Sequence, residues 1–245
     1  MMRWLAIALC VAAVSGRGAL AQPAFAVATI RPSAQSVKFE RDGKTEIARD
    51  RLLMRDVTVS TCIKWAYGVQ QSQISGPAWI SADHFDIEAK PDEPASEAQM
   101  KAMMQTLLAD RFKLTFHRQS KELKSFALTV AKGGSKMQKA AVDGPSSRQN
   151  SDMGTVVKSM TMREWGDFLA GVAELPVVDK TGLEGRYDFS LDFSPYLPKE
   201  QNEHPDVVYI LNQAMPAEIG LRLEPVKETV EVMVVDHVEK SPTEN

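Results

Sequence analysis

Four histidines, one short Asp-Lys-Thr-Gly segment and a cysteine are the residues of this 245-residue chain whose types invite chemistry. Asp179-Lys180-Thr181-Gly182 sets a carboxylate, a cation and a hydroxyl in a row, the groups that acyl or phosphoryl transfer uses. The competing reading is a turn between two strands, with Gly182 supplying positive φ, and the flanking apolar residues favour it heavily. His84, His117, His204 and His237 suit metal binding or proton transfer, yet none stands in His-Glu-x-x-His and none pairs with Cys at zinc-ligand spacing. His84, His117 and His237 fall in or beside alternating segments, where a place on a sheet face is expected. Cys62, among Ile63, Ala66 and Tyr67 at helical spacing, reads as a small buried apolar group; a nucleophile needs a base and a lowered pKa. Gly-x-Ser-x-Gly and Gly-rich phosphate loops are absent. No catalytic, metal or cofactor residue is therefore assigned, and no cofactor is expected. Aromatic side chains concentrate near Trp65, Tyr67 and Trp79, with Pro77 among them. Trp65 reads as a core anchor, while Tyr67, Pro77 and Trp79 form the candidate interaction surface.

The elements that must position these groups begin after residue 21. A basic Arg3, an apolar run from Trp4 to Val14 and the small-residue ending Ala19-Leu20-Ala21 read as a signal peptide. A retained anchor needs about 18 consecutive apolar residues, and Ser15, Gly16 and Arg17 interrupt this run. A lipoprotein reading through Cys10 is disfavoured by the large Leu9 before it. The expected location is extracytoplasmic, periplasmic or secreted, with no transmembrane segment after cleavage. Loss of Arg3 and Arg17 leaves 27 basic against 32 acidic residues, a net charge of −5. That balance argues against nucleic acid, whose affinity rests on neutralised phosphates. Cys62 is then the one remaining cysteine, so a hydrophobic core must hold the fold.

The chain also repeats itself. Leu52, Thr58, Trp65, Gly68, Val69, Ile74 and Ile80 recur 103 positions on as Thr155, Thr161, Phe168, Gly171, Val172, Val177 and Leu183, and, after a one-residue deletion, Phe85-Asp86-Ile87 recurs 102 positions on as Tyr187-Asp188-Phe189. Thr58 and Thr161 are N-cap candidates, Thr161 with Glu164 completing a capping box, and Ser96 with Gln99 opens a second helix with a Met/Leu stripe. Leu114–His117 with Phe126–Val130, and Leu221–Glu224 with Val230–Val234, read as strand pairs. The expectation is an α+β fold of internally duplicated β-α-β-β-α-β-β halves, mainly antiparallel sheet with helices packed on one side. The organisation expected is a signal peptide at 1–21, a first half at 22–131, a linker or mobile loop at 132–154, rich in Gly, Ser and Lys, and a second half at 155–245. Pro216 predicts a last helix that kinks or ends near Met215.

Several segments resemble known families. Asp179-Lys-Thr-Gly resembles the phosphorylated segment of P-type ATPases, but Leu183 stands where those have Thr and the membrane spans are missing. Its Lys-Thr-Gly resembles penicillin-binding proteins, but no Ser-x-x-Lys occurs to supply the nucleophile. Phe25-Ala-Val-Ala-Thr-Ile-Arg-Pro-Ser, Gln73-Ile-Ser-Gly-Pro-Ala-Trp-Ile, Leu107-Leu-Ala-Asp-Arg-Phe-Lys-Leu, Pro176-Val-Val-Asp-Lys-Thr-Gly-Leu and the ending Ser241-Pro-Thr-Glu-Asn resemble the uncharacterised "soil-associated protein" family of exported bacterial proteins. That family is a domain of unknown function, so the resemblance transfers no site residues. Relatives fused to membrane metallopeptidases resembling β-lactam sensors imply a sensing or binding role. The helix-plus-strand-pair units resemble the N-terminal module of secretins and TonB-dependent receptors, which contacts envelope partners.

These readings converge on a non-enzymatic binding or interaction module of the cell envelope, its partner an unknown envelope protein or small ligand and not nucleic acid. The alternative is a periplasmic hydrolase with a site between the two halves, built from dispersed Asp, His and Lys residues.

Overall fold

The computed structural model of the protein describes residues 22–33, 43–141, 144–151, 153–197 and 206–243; the expected signal peptide and His204 lie outside the described residues. Two series of elements follow each other in one order. The first is β1 (Val27–Pro32), β2 (Lys44–Ala48), β3 (Arg51–Thr58), α1 (Val59–Tyr67), β4 (Ile74–Ser75), β5 (His84–Lys90), α2 (Glu97–Arg111) and β6 (Thr115–Val130). The second is β7 (Gln138–Lys139), β8 (Ser147–Ser151), β9 (Gly154–Met160), α3 (Met162–Ala173), β10 (Val177–Asp179), β11 (Tyr187–Asp192), α4 (Val207–Glu218) and β12 (Leu221–His237). The fold is α+β with mainly antiparallel sheet. The sheets are ordered β1-β5-β3-β2, β7-β11-β9-β8 and, between them, β10-β6-β12-β4. β7 and β8 lie within 132–154, so the stretch read as a linker or loop adds an edge strand to each side of the second sheet.

Local chemistry starts the helices where the sequence indicates. The Thr58 hydroxyl accepts from the Thr61 N–H and the Thr161 hydroxyl from the Glu164 N–H, and α2 and α3 both carry reciprocal capping boxes. α1 ends at Gly68, left-handed at φ 66°, whereas α3 runs past the corresponding Gly171 and ends on Glu174 at φ 54°. α4 does not end near Met215: it passes through Pro216 to Glu218, and the Ile219 N–H still reaches the Met215 carbonyl. Pro216 falls in the final turn, where few later residues depend on the ladder it interrupts.

Each lobe packs its helices on one face of a four-stranded sheet. In the first lobe, Leu52, Met54 and Val57 of β3 and Phe85, Ile87 and Ala89 of β5 point inward and are buried with Ile63, Met100, Met104 and Leu108 of the helices. In the second, Val157, Phe189 and Leu191 meet Trp165, Leu169, Leu211 and Met215.

The expected strand pairs at 114–130 and 221–234 do not exist. Each is one long strand, and β6 and β12 pair antiparallel from Leu221↔Val130 to His237↔Thr115. Arg118 to Ser125 contains no Gly, Pro, Asn or Asp to turn the chain, and its side chains are mostly exposed because this stretch crosses between the lobes with no core beneath it. Pro225 is tolerated in β12 because it opposes Phe126, whose N–H points away from β12 to the Pro176 carbonyl. That makes the pair non-hydrogen-bonded, so the missing proline donor faces the outer side of the ribbon.

The long strands exchange lobes. β6 leaves the first core at Leu114 and Phe116 and delivers Phe126, Leu128 and Val130 to the second, while β12 leaves the second core at Leu221 and Leu223 and delivers Met233 and Val235 to the first. β4 adds to β12 and β10 to β6, both in parallel. Neither core is complete without a strand from the other half.

Candidate functional site

The lobes approach each other along a seam of charged and aromatic side chains. On the first lobe, Trp65 of α1 and Lys101 of α2 meet, with the Lys101 ammonium 5.9 Å from the indole centroid; Lys101 also pairs with Glu97 at 2.9 Å. On the second, Arg148 of β8 lies 3.5 Å over the ring of Phe168 on α3. Trp65 and Phe168 hold matching positions in α1 and α3, 103 residues apart. Charges act across the seam: Lys101 bears on Asp167 of α3, and Glu97 on Arg148. Burial pushes the Asp167 carboxyl up, against the downward pull of Arg163 and Lys101; burial lowers Arg148, with Glu97 opposing. Asp167 is nonetheless open to solvent on the surface of α3. Among the described residues, neither Asp167 nor Arg148 makes a direct ion pair or hydrogen bond to a side chain.

The sequence-derived surface residues all fall in the first lobe. Tyr67 packs edge-on against Phe116 at 5.1 Å, and burial raises its hydroxyl, with Arg118 opposing. Trp79 is half-buried against the first core in the short 3-10 turn Ala78–Ser81, and Pro77 is exposed at the start of that turn. Trp65, read from sequence as a core anchor, is half-buried and borders the seam. Its equivalence with Phe168 was the available signal; Lys101, Asp167, Arg148 and Glu97 carry no sequence signal, because only tertiary packing brings α2, α3 and β8 together.

The remaining chemical candidates have structural partners. Asp179 Oδ1 accepts from the Thr181 N–H and hydroxyl at 2.9 and 2.8 Å, and Gly182 sits at φ 65°, so Asp-Lys-Thr-Gly is a turn. His84 Nδ1 donates to the Asp56 carbonyl at 2.9 Å and lies 3.2 Å from the Asp56 carboxylate. Arg186 does the same for the Ser159 carbonyl in the other lobe, at 2.6 Å. His117 Nδ1 meets Asp236 at 2.8 Å on the exposed ribbon, and the hydrogen bonds of this pair among the described residues include no Ser, Thr or Cys. Cys62 is buried. Among the described residues no group of three or more His, Cys, Asp and Glu is placed to hold a metal ion, and no helix is long and apolar enough to cross a membrane.

Asp86 and Asp188 explain their own recurrence. Each accepts the N–H of a left-handed bulge residue, Asp56 (φ 54°) at 2.9 Å and Ser159 (φ 50°) at 2.8 Å. Asp188 is held below the usual carboxylate range by that backbone bond and by Lys158. Shallow depressions of about 190 and 430 Å³ adjoin Asp86 and Asp188, the second bordered by Glu218 at the end of α4, and a third of about 500 Å³ lies at the β8–β9 hairpin beside Met153.

With this geometry in hand, the chain belongs to the family of proteins of unknown function DUF3738, which matches residues 60–238. No curated protein matches it, and no solved structure does.

Proposed function

We propose that the protein is an exported, non-enzymatic binding module of the cell envelope that binds at the seam between its lobes. One observation carries this reading: a solvent-exposed carboxylate and a guanidinium stacked on Phe168 lie beside two aromatic rings that α1 and α3 present at matching positions. Convergent polar groups beside aromatic surface are what a small-ligand or partner site requires. The leader-like residues 1–21 support export, the resembling segments support the soil-associated group, and the recurrence of eight elements in one order supports internal duplication. The hydrolase alternative calls for dispersed Asp, His and Lys residues between the halves, and His117 with Asp236 on the ribbon is its most accessible His–Asp pair.

A photoreactive residue at Arg163, beside the seam, and another at Gln149, on the far sheet face, test this in the native envelope. Crosslinking from position 163 and not from 149 supports the seam. Hydrolysis of a peptide or glycan panel that is lost with His117→Ala overturns the binding reading.

A further inference from the structure

We infer that two copies of the chain join edge to edge through β8, so that their second-lobe sheets become one sheet about a two-fold axis. Free sheet edges are normally blunted by proline, charge, a bulge or shortness. Among the described residues the other outer strands are protected in these ways: β4 and β7 have two residues and β10 three, β1 carries Arg31-Pro32, and β2 presents Lys44 and Glu46. β8 is not. Its five residues, Ser147-Arg148-Gln149-Asn150-Ser151, are all exposed, and its register with β9 runs unbroken from Ser147↔Lys158 to Ser151↔Gly154. Its one charge, Arg148, is held 3.5 Å over the Phe168 ring on the helix side.

The backbone shows which groups are free. On β9 the Met153 carbonyl accepts from the Phe193 N–H and so turns toward β11, which by alternation points Val156 at β8. The Gln149 carbonyl, opposite Val156, faces β9 and takes the Thr155 hydroxyl at 3.4 Å. Arg148 and Asn150 therefore aim their N–H and C=O at the open edge. The strand matches its own reverse: an antiparallel copy centred on Gln149 sets Arg148 against the partner's Asn150 and Ser147 against the partner's Ser151. The outward residues then exchange about four backbone hydrogen bonds, and no like charges stand opposed. Centred on Arg148 instead, the pair would oppose two guanidiniums. Val156, 46% exposed beside Gln149 on the outer face, extends the contact with an apolar side chain from each copy. An unrelated strand would bond the same edge, but the match of β8 to its own reverse favours a second copy.

One short strand pair is a small interface, so the association is expected at about 10–500 µM. Sedimentation equilibrium of the mature protein should show the mass rising toward twice the monomer across that range. Gln149→Glu and Gln149→Lys each set like charges at the two-fold axis and should weaken self-association about fivefold or more. Mixed in equal amounts, the two should pair with each other at least as tightly as the parent, which misfolded variants would not do. Gln149→Cys should form an intermolecular disulfide, because facing Cα atoms there lie about 4.5 Å apart, whereas Ser147→Cys, facing the partner's Ser151, should not. A mass that stays at the monomer, a dimer that both charged variants leave intact, or a Ser147→Cys disulfide formed in preference to the Gln149→Cys one would overturn the inference. In the envelope, a photoreactive residue at position 149 then joins the chain to itself, so only a product with another protein counts against the seam.

Discussion

Leu128→Ala is the sharpest test of the strand exchange. Leu128 belongs to β6, in the first series of elements, but is fully buried in the second core with Trp165 and Phe189. Truncating a fully buried leucine removes its transfer free energy and leaves a cavity, a loss of about 2–5 kcal/mol. For a chain of this size each kcal/mol moves the midpoint by about 2–4 °C, so the variant should melt about 4–20 °C lower. The loss should be read by Trp165, which lies in the second core 5.0 Å from Phe189. In a Trp4→Phe, Trp65→Phe, Trp79→Phe background, urea unfolding followed by that indole should shift to a lower midpoint with an unchanged slope. Met233→Ala makes the reciprocal test, because Met233 sits on β12 yet is buried in the first core.

Because each core is closed by the other half's strand, both variants should lower one shared transition. Their effects should add, since the two residues share no partners. Two separate transitions in the unmodified protein, or a Leu128→Ala effect confined to probes in one lobe, would refute the coupling.

Three further outcomes follow from local geometry. Glu174→Gly should stabilise by about 1 kcal/mol, because the exposed C-cap of α3 holds a left-handed conformation that glycine adopts without strain; thermal melting checks it. Thr161→Ala should cost about 1 kcal/mol, and more than Thr58→Ala, because only Thr161 belongs to a reciprocal capping box; paired urea titrations give the difference. Burial alone would raise Glu164, but bonds from the Thr161 backbone and hydroxyl, the Ser146 hydroxyl and nearby Arg186 outweigh it and hold the carboxyl below its usual range. A depressed folded pKa gives stability that is present above the unfolded value near ~4.3 and is lost as pH falls through the folded one. Glu164→Gln should therefore reduce stability at pH 7 and narrow its difference from the parent in acid, as melting at pH 7 and pH 3 would show.

What the sequence revealed divides along physical lines. Helix starts were legible because Thr58, Ser96 and Thr161 act on their own next turn, a local interaction that needs no tertiary context. Short buried strands were legible at Phe85 and Tyr187 because one face is apolar. β8, Ser147 to Ser151, was not, since it is an exposed edge whose Arg148 meets Phe168 rather than a core. The long strands were misread for a related reason. Alternation survives at their ends, where they enter two different cores, and fades in the crossing between, so one strand reads as two. Of the seam, only the Trp65–Phe168 correspondence was visible.

The recurring acidic residues have a structural role. Asp86 and Asp188 are the kind of recurring acidic residue that a search for chemistry would select, yet each is occupied with the N–H of a left-handed bulge. What the two halves hold in common is what their backbones require. Away from those requirements they differ: Arg31 and Gln138 face the two aspartates from corresponding strands, and Lys64 and Asp167 precede the two seam aromatics. Lys64 before Trp65 and Asp167 before Phe168 thus carry opposite charges at matching helix positions, a difference that the backbone common to the two halves does not require.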